Sequence, residues 1–441
     1  MRLLLAILCA LPLCAQQAAS RPASRTDTAP SRPNLVLIVA DDLGYGELGC
    51  YGGAQIPTPH LDALAAGGVR MTQGYVTCPV CAPTRAALLT GRYQQRFGFE
   101  FNPGPEARAP ADFGLPKTEL TLGERFAALG YATGMVGKWH LGYREGLRPT
   151  ERGFAEFYGF LAGAHPYRAN AARSGGNPIL QGTTPVDTGA YLTVAFAREA
   201  RAFIARHAQT PFCLYVPFNA VHAPLQAPPQ YLQRFAAISD PKRRTFAAML
   251  AVLDDAVGTI RKELQTHGLL ENTLLVFLSD NGGPTPSTTS GNGPLRGTKA
   301  TVWEGGVRVP FLVHWPARIP GGKVFAAPVS SLDVLPTFLA AEGAPLPEGL
   351  DGVDLVPFLR GERTGRPHER LFWRFGEQRA VRVGDWKLLQ TRDGEVQLFD
   401  LARDPGETTD LSAAAPERVT ALERDYEAWN ATLLAPRWRR G

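Results

Sequence analysis

Residues 34–42 read Asn-Leu-Val-Leu-Ile-Val-Ala-Asp-Asp, an unbroken apolar run that stops on two acids. A strand with one solvated face would alternate apolar and polar residues. This run does not, and it predicts a strand covered on both faces, as in parallel sheets. The pattern returns downstream. Ala132 to Val136 leads into Gly137-Lys138-Trp139-His140, and Phe212 to Pro217 leads towards His222-Ala223-Pro224. Leu274 to Leu278 ends at Asp280-Asn281-Gly282-Gly283, and Val309 to Trp315 follows the glycine turn at Gly305-Gly306. Helical patterns lie between these runs. Thr121-x-x-Glu124 reads as a capping box, with Leu122, Phe126 and Leu129 at helical spacing. A helix is expected over about 191–205, and Phe246, Leu250, Leu253, Val257, Ile260 and Leu264 mark a long amphipathic one. Strands alternating with helices predict an α/β fold. In open α/β sheets, ligands bind beyond the carboxyl ends of the strands. Asp41, Asp42, Lys138, His140, His222, Asp280 and Asn281 are therefore expected to meet in one cleft.

From about Leu346 the composition turns to Pro, Gly and Arg. Beyond Arg370 the pieces LFWRF, AVRVG, WKLLQ and VQLFDL predict a small antiparallel sheet, with a helix over about 415–433 packed on it. The expected organisation is a signal peptide over 1–19, a linker over 20–32, a catalytic domain over 33–345 and a C-terminal α+β subdomain over 346–441. The leader is read from Met1-Arg2, the apolar run Leu3 to Leu13 and the small and polar residues after it. That run is too short to span a bilayer. It predicts export to the periplasm or beyond, and Cys14 leaves a lipid anchor open. No other stretch is apolar enough for a transmembrane span. The 441 residues carry 46 basic and 41 acidic side chains, a net charge of +5, with no long Lys/Arg block. Bulk charge gives no reason to expect a nucleic-acid or membrane-surface partner. Past the leader only Cys50, Cys78, Cys81 and Cys213 remain, too few for a disulfide scaffold.

The most specific stretch is Cys81-Ala-Pro83-Thr-Arg85-Ala-Ala-Leu-Leu89-Thr90-Gly91-Arg92. It follows the pattern C-x-P-x-R-x-x-x-L-T-G-R. With it, the chain from about Arg32 to about Leu411 resembles the type I sulfatases, the arylsulfatase and N-acetylgalactosamine-6-sulfatase group. The resemblance implies an alkaline-phosphatase-like sandwich with a central mixed, mostly parallel sheet. It also implies that a maturase reads C-x-P-x-R and oxidises Cys81 to formylglycine (3-oxoalanine) before folding finishes. The aldehyde hydrates to a geminal diol. One hydroxyl attacks sulfur, the alcohol departs, and the second hydroxyl expels sulfate. A serine-like sulfate ester would resist water, whereas a hemiacetal ester collapses by itself.

Asp41, Asp42, Asp280 and Asn281 offer only oxygen ligands, which suit Ca²⁺ or Mg²⁺ rather than Zn²⁺. They match the D-D and D-N positions of the family, so the resemblance implies Ca²⁺, with the modified Cys81 as a further ligand. Lys138 and His140 stand in G-K-W-H, His222 in H-A-P, and Lys299 in R-G-x-K ahead of W-E-G-G-V-R-V-P. By resemblance Lys138 and Lys299 contact sulfate, and His222 protonates the leaving oxygen. His140 holds or deprotonates the diol, and Arg85 pairs with the metal-site carboxylates. Fixed cations stabilise transition-state charge, and a histidine transfers protons near neutral pH. His165, in His-Pro-Tyr, falls in an expected loop and is a candidate for substrate contact. Asp254-Asp255 falls within a helix pattern and is read as structural, as are His60, His207, His267 and His314.

The C-P-V-C of Cys78 and Cys81 also fits a redox dithiol. Its second cysteine belongs to the signature, however, and a Cys78–Cys81 disulfide is expected to be absent. Two functional alternatives stay open: a phosphonate or phosphate ester hydrolase using the same formylglycine, and a non-catalytic binder of sulfated glycans. The expected substrate is a sulfated carbohydrate or an aryl sulfate, and a sulfated galactan such as carrageenan fits as well as a sulfated galactosamine. Its identity is expected to reside in the stretch Tyr93 to Gly114 and in the loop from His165 to Arg173.

Overall fold

The run that opens on Asn34 forms the strand Asn34–Ala40, buried along its whole length. This computed structural model describes residues 32–168 and 176–438. The predicted leader, most of the linker, Cys14 and residues 169–173 of the substrate-loop candidate lie outside them. Asn34–Ala40 pairs in parallel on both sides, with Phe212–Pro217 and with Thr273–Ser279. Ala132–Lys138 and Glu156–Phe160 extend the parallel run past Phe212–Pro217. Short strands finish both flanks: Ile179–Gln181 and Thr184–Val186 on one, Phe311–His314, Val69–Met71 and Lys323–Phe325 on the other. The product is a ten-stranded mixed, mostly parallel sheet.

Side chains of a strand alternate between faces, and the central strand feeds two separate cores. Leu35, Leu37 and Val39 join an apolar cluster with Leu88, Leu89, Phe126, Leu335 and Phe338. These come from the helices Cys81–Thr90, Leu122–Ala128 and Val334–Glu342. Val36, Ile38 and Ala40 join the opposite cluster, with Phe196, Phe246, Leu250 and Leu253. Those belong to the helices Leu192–Arg206 and Pro241–Thr266. Helices on both faces explain the continuous apolar reading of the strand.

The capping box is present: Glu124 donates its backbone N–H to Thr121 Oγ1 at 3.1 Å, and Thr121 returns one to the Glu124 carboxylate at 2.8 Å. The long helix starts upstream of its first apolar position, because Asp240 caps it and Pro241 fits the first turn. Asp254 accepts the backbone N–H groups of His60 and Leu61 at 3.1 and 2.8 Å, tying the long helix to Pro59–Gly67. That is a structural task, as its helical position suggests. Among the described residues no helix is long and apolar enough to cross a membrane.

The C-terminal pieces form the antiparallel sheet Arg370–Phe375, Gln378–Val383, Trp386–Gln390 and Val396–Asp400. Helix Pro416–Asn430 covers it through Leu422, Tyr426 and Trp429, in a cluster that also takes in Ala87, Tyr93 and Leu332. The small sheet therefore shares packing with the large one. A buried ionic cluster joins them further. Lys387 Nζ lies 2.9 Å from a carboxylate oxygen of Glu304 and 2.9 Å from one of Glu407, with all three side chains fully buried. The other Glu407 oxygen accepts the Glu304 N–H at 2.7 Å, and Tyr75 donates its hydroxyl to Glu304 at 2.6 Å.

Two carboxylates on one ammonium cannot both be fully neutralised. Burial pushes Glu407 up to about 7 despite Lys387, with the Glu304 charge adding to it. Burial opposes ionisation of Glu304 too, but Lys387, Arg308 and Arg382 draw it down to about 2. A carboxyl raised in the folded state binds its proton more tightly there than in the unfolded chain. Stability attributable to it therefore falls as pH rises from the usual carboxylate range to about 7. Glu407→Gln keeps the neutral form at every pH. Its Tm relative to the parent is expected to climb by a few degrees between pH 5 and pH 8 in scanning calorimetry; a constant difference would contradict this.

Candidate active site

Four neighbouring parallel strands, in the order Thr273–Ser279, Asn34–Ala40, Phe212–Pro217 and Ala132–Lys138, present their carboxyl ends at one edge of the sheet. Asp280 and Asn281 follow the first of them, and Asp41 and Asp42 follow the second. His222 follows the third after a short turn, while Lys138 ends the fourth with His140 two residues on. Cys81 opens the helix Cys81–Thr90, and Arg85 lies one turn along on the same face. Lys299 enters from the loop after Asn281. The seven positions expected in one cleft are thus brought to one place, with Cys81, Arg85 and Lys299 among them.

The centre is a dense set of ion pairs. Arg85 holds one oxygen of Asp280 with Nε at 2.9 Å and Nη2 at 2.7 Å, and donates Nη1 to the Lys138 carbonyl at 3.2 Å. Its Nη2 also lies 3.7 Å from Asp41. Lys138 Nζ donates to Asp41 at 2.6 Å, and Lys299 Nζ donates to Asp42 at 2.5 Å. Cys81 Sγ sits between these pairs, 3.3 Å from Lys299 Nζ and 3.5 Å from Asp41 Oδ1. Asn281 Nδ2 reaches Asp42 at 2.7 Å. His222 places Nε2 3.6 Å from Asp42, and its Nδ1 lies 2.5 Å from the Ala223 carbonyl. A carbonyl only accepts, so Nδ1 carries the proton and the ring is held with Nε2 towards the site.

Burial works against charge on the Asp41 and Asp42 carboxyls, yet both are pulled below the usual range. Lys138, His222 and Arg85 do this for Asp41, and Lys299 and His222 for Asp42. Lys299 is likewise raised well above the ordinary lysine value: burial opposes its charge, and Asp42 and the groups around Cys81 overcome it. Burial pushes the Cys81 thiol up to about 12, only partly offset by the two lysines. As a thiol it is protonated at neutral pH and a weak nucleophile. Burial, followed by Lys138, Arg85 and Lys299, drives His140 well below the usual imidazole range, so its ring is neutral. A Cβ at Gly163 would fall 2.5 Å from His140 Nε2, so any larger residue there would displace the imidazole. Asp42 and His140 both take left-handed backbone, with φ of 64° and 62°. Such strain in non-glycine residues gathers where function fixes geometry.

A cleft of about 680 Å³ opens above Cys81, His140 and His222. Its far wall is the segment Asn102 to Ala107, with Tyr143 and Arg144 beside it. Asn102 Oδ1 accepts the Ala82 N–H at 2.9 Å, and Tyr143 donates its hydroxyl to the Gly104 carbonyl at 3.1 Å. The stretch Tyr93 to Gly114 thus reaches the cleft. Tyr143 and Arg144 were missed, although they directly follow G-K-W-H-L-G. His165 is not brought to the cleft. Its ring is 2% exposed and packs 5.1 Å from the Phe160 ring, with Nδ1 2.7 Å from the Pro166 carbonyl. Ala162, Gly163 and Ala164 line the cleft in its place. Cys50, Cys78, Cys81 and Cys213 are all free thiols.

The oxygen donors of Asp41, Asp42, Asp280 and Asn281 fit a hard cation. Ligand atoms of Asp41, Asp42, Cys81 and His222 lie within 4.8 Å of one another. Asn281 Oδ1 is buried without a hydrogen-bond partner beside them. An orphaned buried oxygen next to carboxylates is what a Ca²⁺-type site offers.

Comparison with known proteins matches this arrangement. The family model described as Sulfatase matches residues 33–344, and that of the N-sulphoglucosamine sulphohydrolase C-terminal region matches residues 298–425. The chain is 39% identical to arylsulfatase A of Homo sapiens over 89% of its own length and 86% of the relative's. It is 33% identical to arylsulfatase J of Mus musculus over 96% of its length and 79% of the relative's. The crystal structure of Ps i-CgsB in complex with k-i-k-neocarrahexaose superposes with a TM-score of 0.87 at 35% identity, covering 93% of this chain and 95% of that one. The fold is the expected alkaline-phosphatase-like one, and the matched region carries every charged group gathered around Cys81. The chain therefore belongs to the type I sulfatase family and is a sulfuric ester hydrolase.

Proposed function

We propose that the protein hydrolyses sulfate monoesters on a sulfated carbohydrate, with a formylglycine made from Cys81 as its nucleophile. The observation that carries this reading is the place of Cys81 Sγ, at the floor of the cleft and within 3.5 Å of both Lys299 Nζ and Asp41 Oδ1. A nucleophile there meets sulfur with fixed cations already in position. The carbohydrate is supported by relatives. Ps i-CgsB was crystallised with a neocarrahexaose, and the N-acetylgalactosamine-6-sulfatase of Canis lupus familiaris is 34% identical over 90% of this chain. The leader read at residues 1–19 supports export, and a maturase outside this chain supplies the oxidation of Cys81.

Asp41, Asp42, Asp280 and Asn281 would hold Ca²⁺, which when bound supplies a Lewis acid for a sulfate oxygen. The remaining work falls to side chains of the chain itself. Lys138 and Lys299 set positive charge against the sulfate. Arg85 fixes Asp280 and, through the Lys138 carbonyl, the end of that strand. His140, neutral and buried, accepts or shares a proton of the attacking hydroxyl. His222, oriented by the Ala223 carbonyl through Nδ1–H, donates its Nε2 proton to the departing alcohol from the doubly protonated imidazolium and is left as the neutral Nδ1–H tautomer.

Paired kinetics with 4-nitrophenyl sulfate and 4-nitrophenyl phosphate test the reading. kcat/KM is expected to favour the sulfate by about 100-fold or more, roughly 3 kcal/mol in barrier. A preference for phosphate would overturn it in favour of a phosphoester hydrolase. His222→Ala is expected to lower kcat on sugar sulfates by about 10²–10³-fold. Nitrophenolate departs without help, so 4-nitrophenyl sulfate should suffer much less. Equal losses on both substrates would remove the general-acid role.

A further inference from the structure

A second cleft, of about 390 Å³, lies against the catalytic one. Asn102, Pro103 and Gly104 line both, so this segment is their common wall. Cys81 faces the first cleft and Lys299 the second, yet Cys81 Sγ and Lys299 Nζ are 3.3 Å apart. The two clefts therefore meet at the reacting centre. The wall is fixed from both sides, by the Asn102 bond to the Ala82 N–H and by the Tyr143 bond to the Gly104 carbonyl.

The chemistry of the second cleft differs from that of the first. Phe101 and Phe375 contribute two rings, with centroids 5.7 Å apart and planes inclined at 46°. Phe101 is half-buried, packed on the main core, and Phe375 comes from the small C-terminal sheet. Pro284 and Ala300 add apolar surface, and Lys299 adds a cation. Aromatic and apolar walls with one or two fixed polar groups make a small-molecule site. A sugar ring suits this one: its C–H face packs on aromatic carbon while its hydroxyls stay wet at the edge.

We propose that this second cleft is a subsite for a further sugar of the sulfated carbohydrate, adjoining the sulfated residue held over Cys81. This rests on the sulfated-carbohydrate reading above. Two groups brought together only by folding, Phe101 and Phe375, read that neighbouring sugar, and Lys299 stands between the two bound residues. Longer oligosaccharides gain contacts there that a short one lacks.

The test uses the full chain carrying Cys81→Ala, which binds without turnover. The probes are fluorescently labelled disaccharide and hexasaccharide fragments of carrageenan, chondroitin sulfate and heparan sulfate, with affinity measured by thermophoresis. For the glycan that binds, the hexasaccharide is expected to bind about tenfold or more tightly than the disaccharide. Phe101→Leu keeps the apolar packing and removes the aromatic face; it should cut that advantage to about threefold or less. Pro284→Trp, which fills the cleft from the other side without altering the ring pair, should do the same. Equal affinity of the two lengths, or an advantage that survives both substitutions, overturns the subsite. If no fragment binds while the unsubstituted protein turns over 4-nitrophenyl sulfate, the subsite fails and the sulfatase reading stands. If that turnover is absent as well, the underlying reading fails too.

Discussion

Cys81→Ala is expected to lower kcat/KM for 4-nitrophenyl sulfate by about 10⁴-fold or more, with Tm within a few degrees of the parent. The two halves of this expectation have separate causes. Activity falls because no other nucleophile of the described residues stands between Lys299 and Asp41 at the cleft floor. The fold persists because position 81 opens a helix, where alanine has the best intrinsic propensity. The polar partners of the lost sulfur are Asp41 and Lys299, whose ion pairs with Lys138 and Asp42 do not pass through it. Mass spectrometry of the Cys81 peptide from an active native-host preparation completes the test, and an aldehyde is expected. Full activity in Cys81→Ala, or only thiol in an active sample, would reassign the nucleophile.

Asp280→Ala should damage stability and catalysis together. Asp280 holds Arg85 by two contacts at 2.9 and 2.7 Å in a site with no exposed surface. Without it the guanidinium keeps the Lys138 carbonyl, an Asp41 oxygen 3.7 Å away and the neighbouring Tyr215 hydroxyl, but no close carboxylate. Leaving a buried charge without its partner costs about 3–5 kcal/mol, which for a chain of this size lowers Tm by roughly 3–5 °C. On the proposed reading, activity should fall by about 10³-fold or more, because one residue both orients Arg85 and would supply an oxygen to the cation. Arg85→Met in the same chain should restore part of the lost stability and none of the activity. If Asp280→Ala left Tm unchanged in calorimetry, Arg85 would not depend on it.

The elements legible in the sequence were those whose signal is local. Asn34–Ala40 and Thr273–Ser279 are buried on both faces and read as continuous apolar runs. The Thr121 capping box is a pair of residues three apart. The gathering of Asp41, Asp42, Lys138 and Asp280 was legible for the same reason: each sits at or just past the end of a readable strand, and parallel order sends those ends to one edge. Val69–Met71 and Ile179–Gln181 were not legible. Each is only three residues long, and the partners of Val69–Met71 lie far away in the chain. His165 misled because a loop histidine looks available in sequence, whereas packing against Phe160 decides that it is not. The second cleft was invisible, since nothing local relates Phe101 to Phe375.

The buried cluster of Glu304, Lys387 and Glu407 bears on the order in which the protein can be made. The loop that carries Lys299 is pinned by late residues. Gln378 donates to the Ala300 carbonyl, Arg296 to the Glu407 carbonyl, and Glu304 receives its ionic partner from Lys387. Chains emerge from the ribosome amino end first. The Cys81 segment is therefore released early, and the lysine that closes over it waits for residue 407. On the proposed reading, that interval is when an extended Cys81 would be open to a modifying enzyme. A chain that stopped before Gln378 would lose all three ties to the Lys299 loop, while already containing every residue gathered around Cys81.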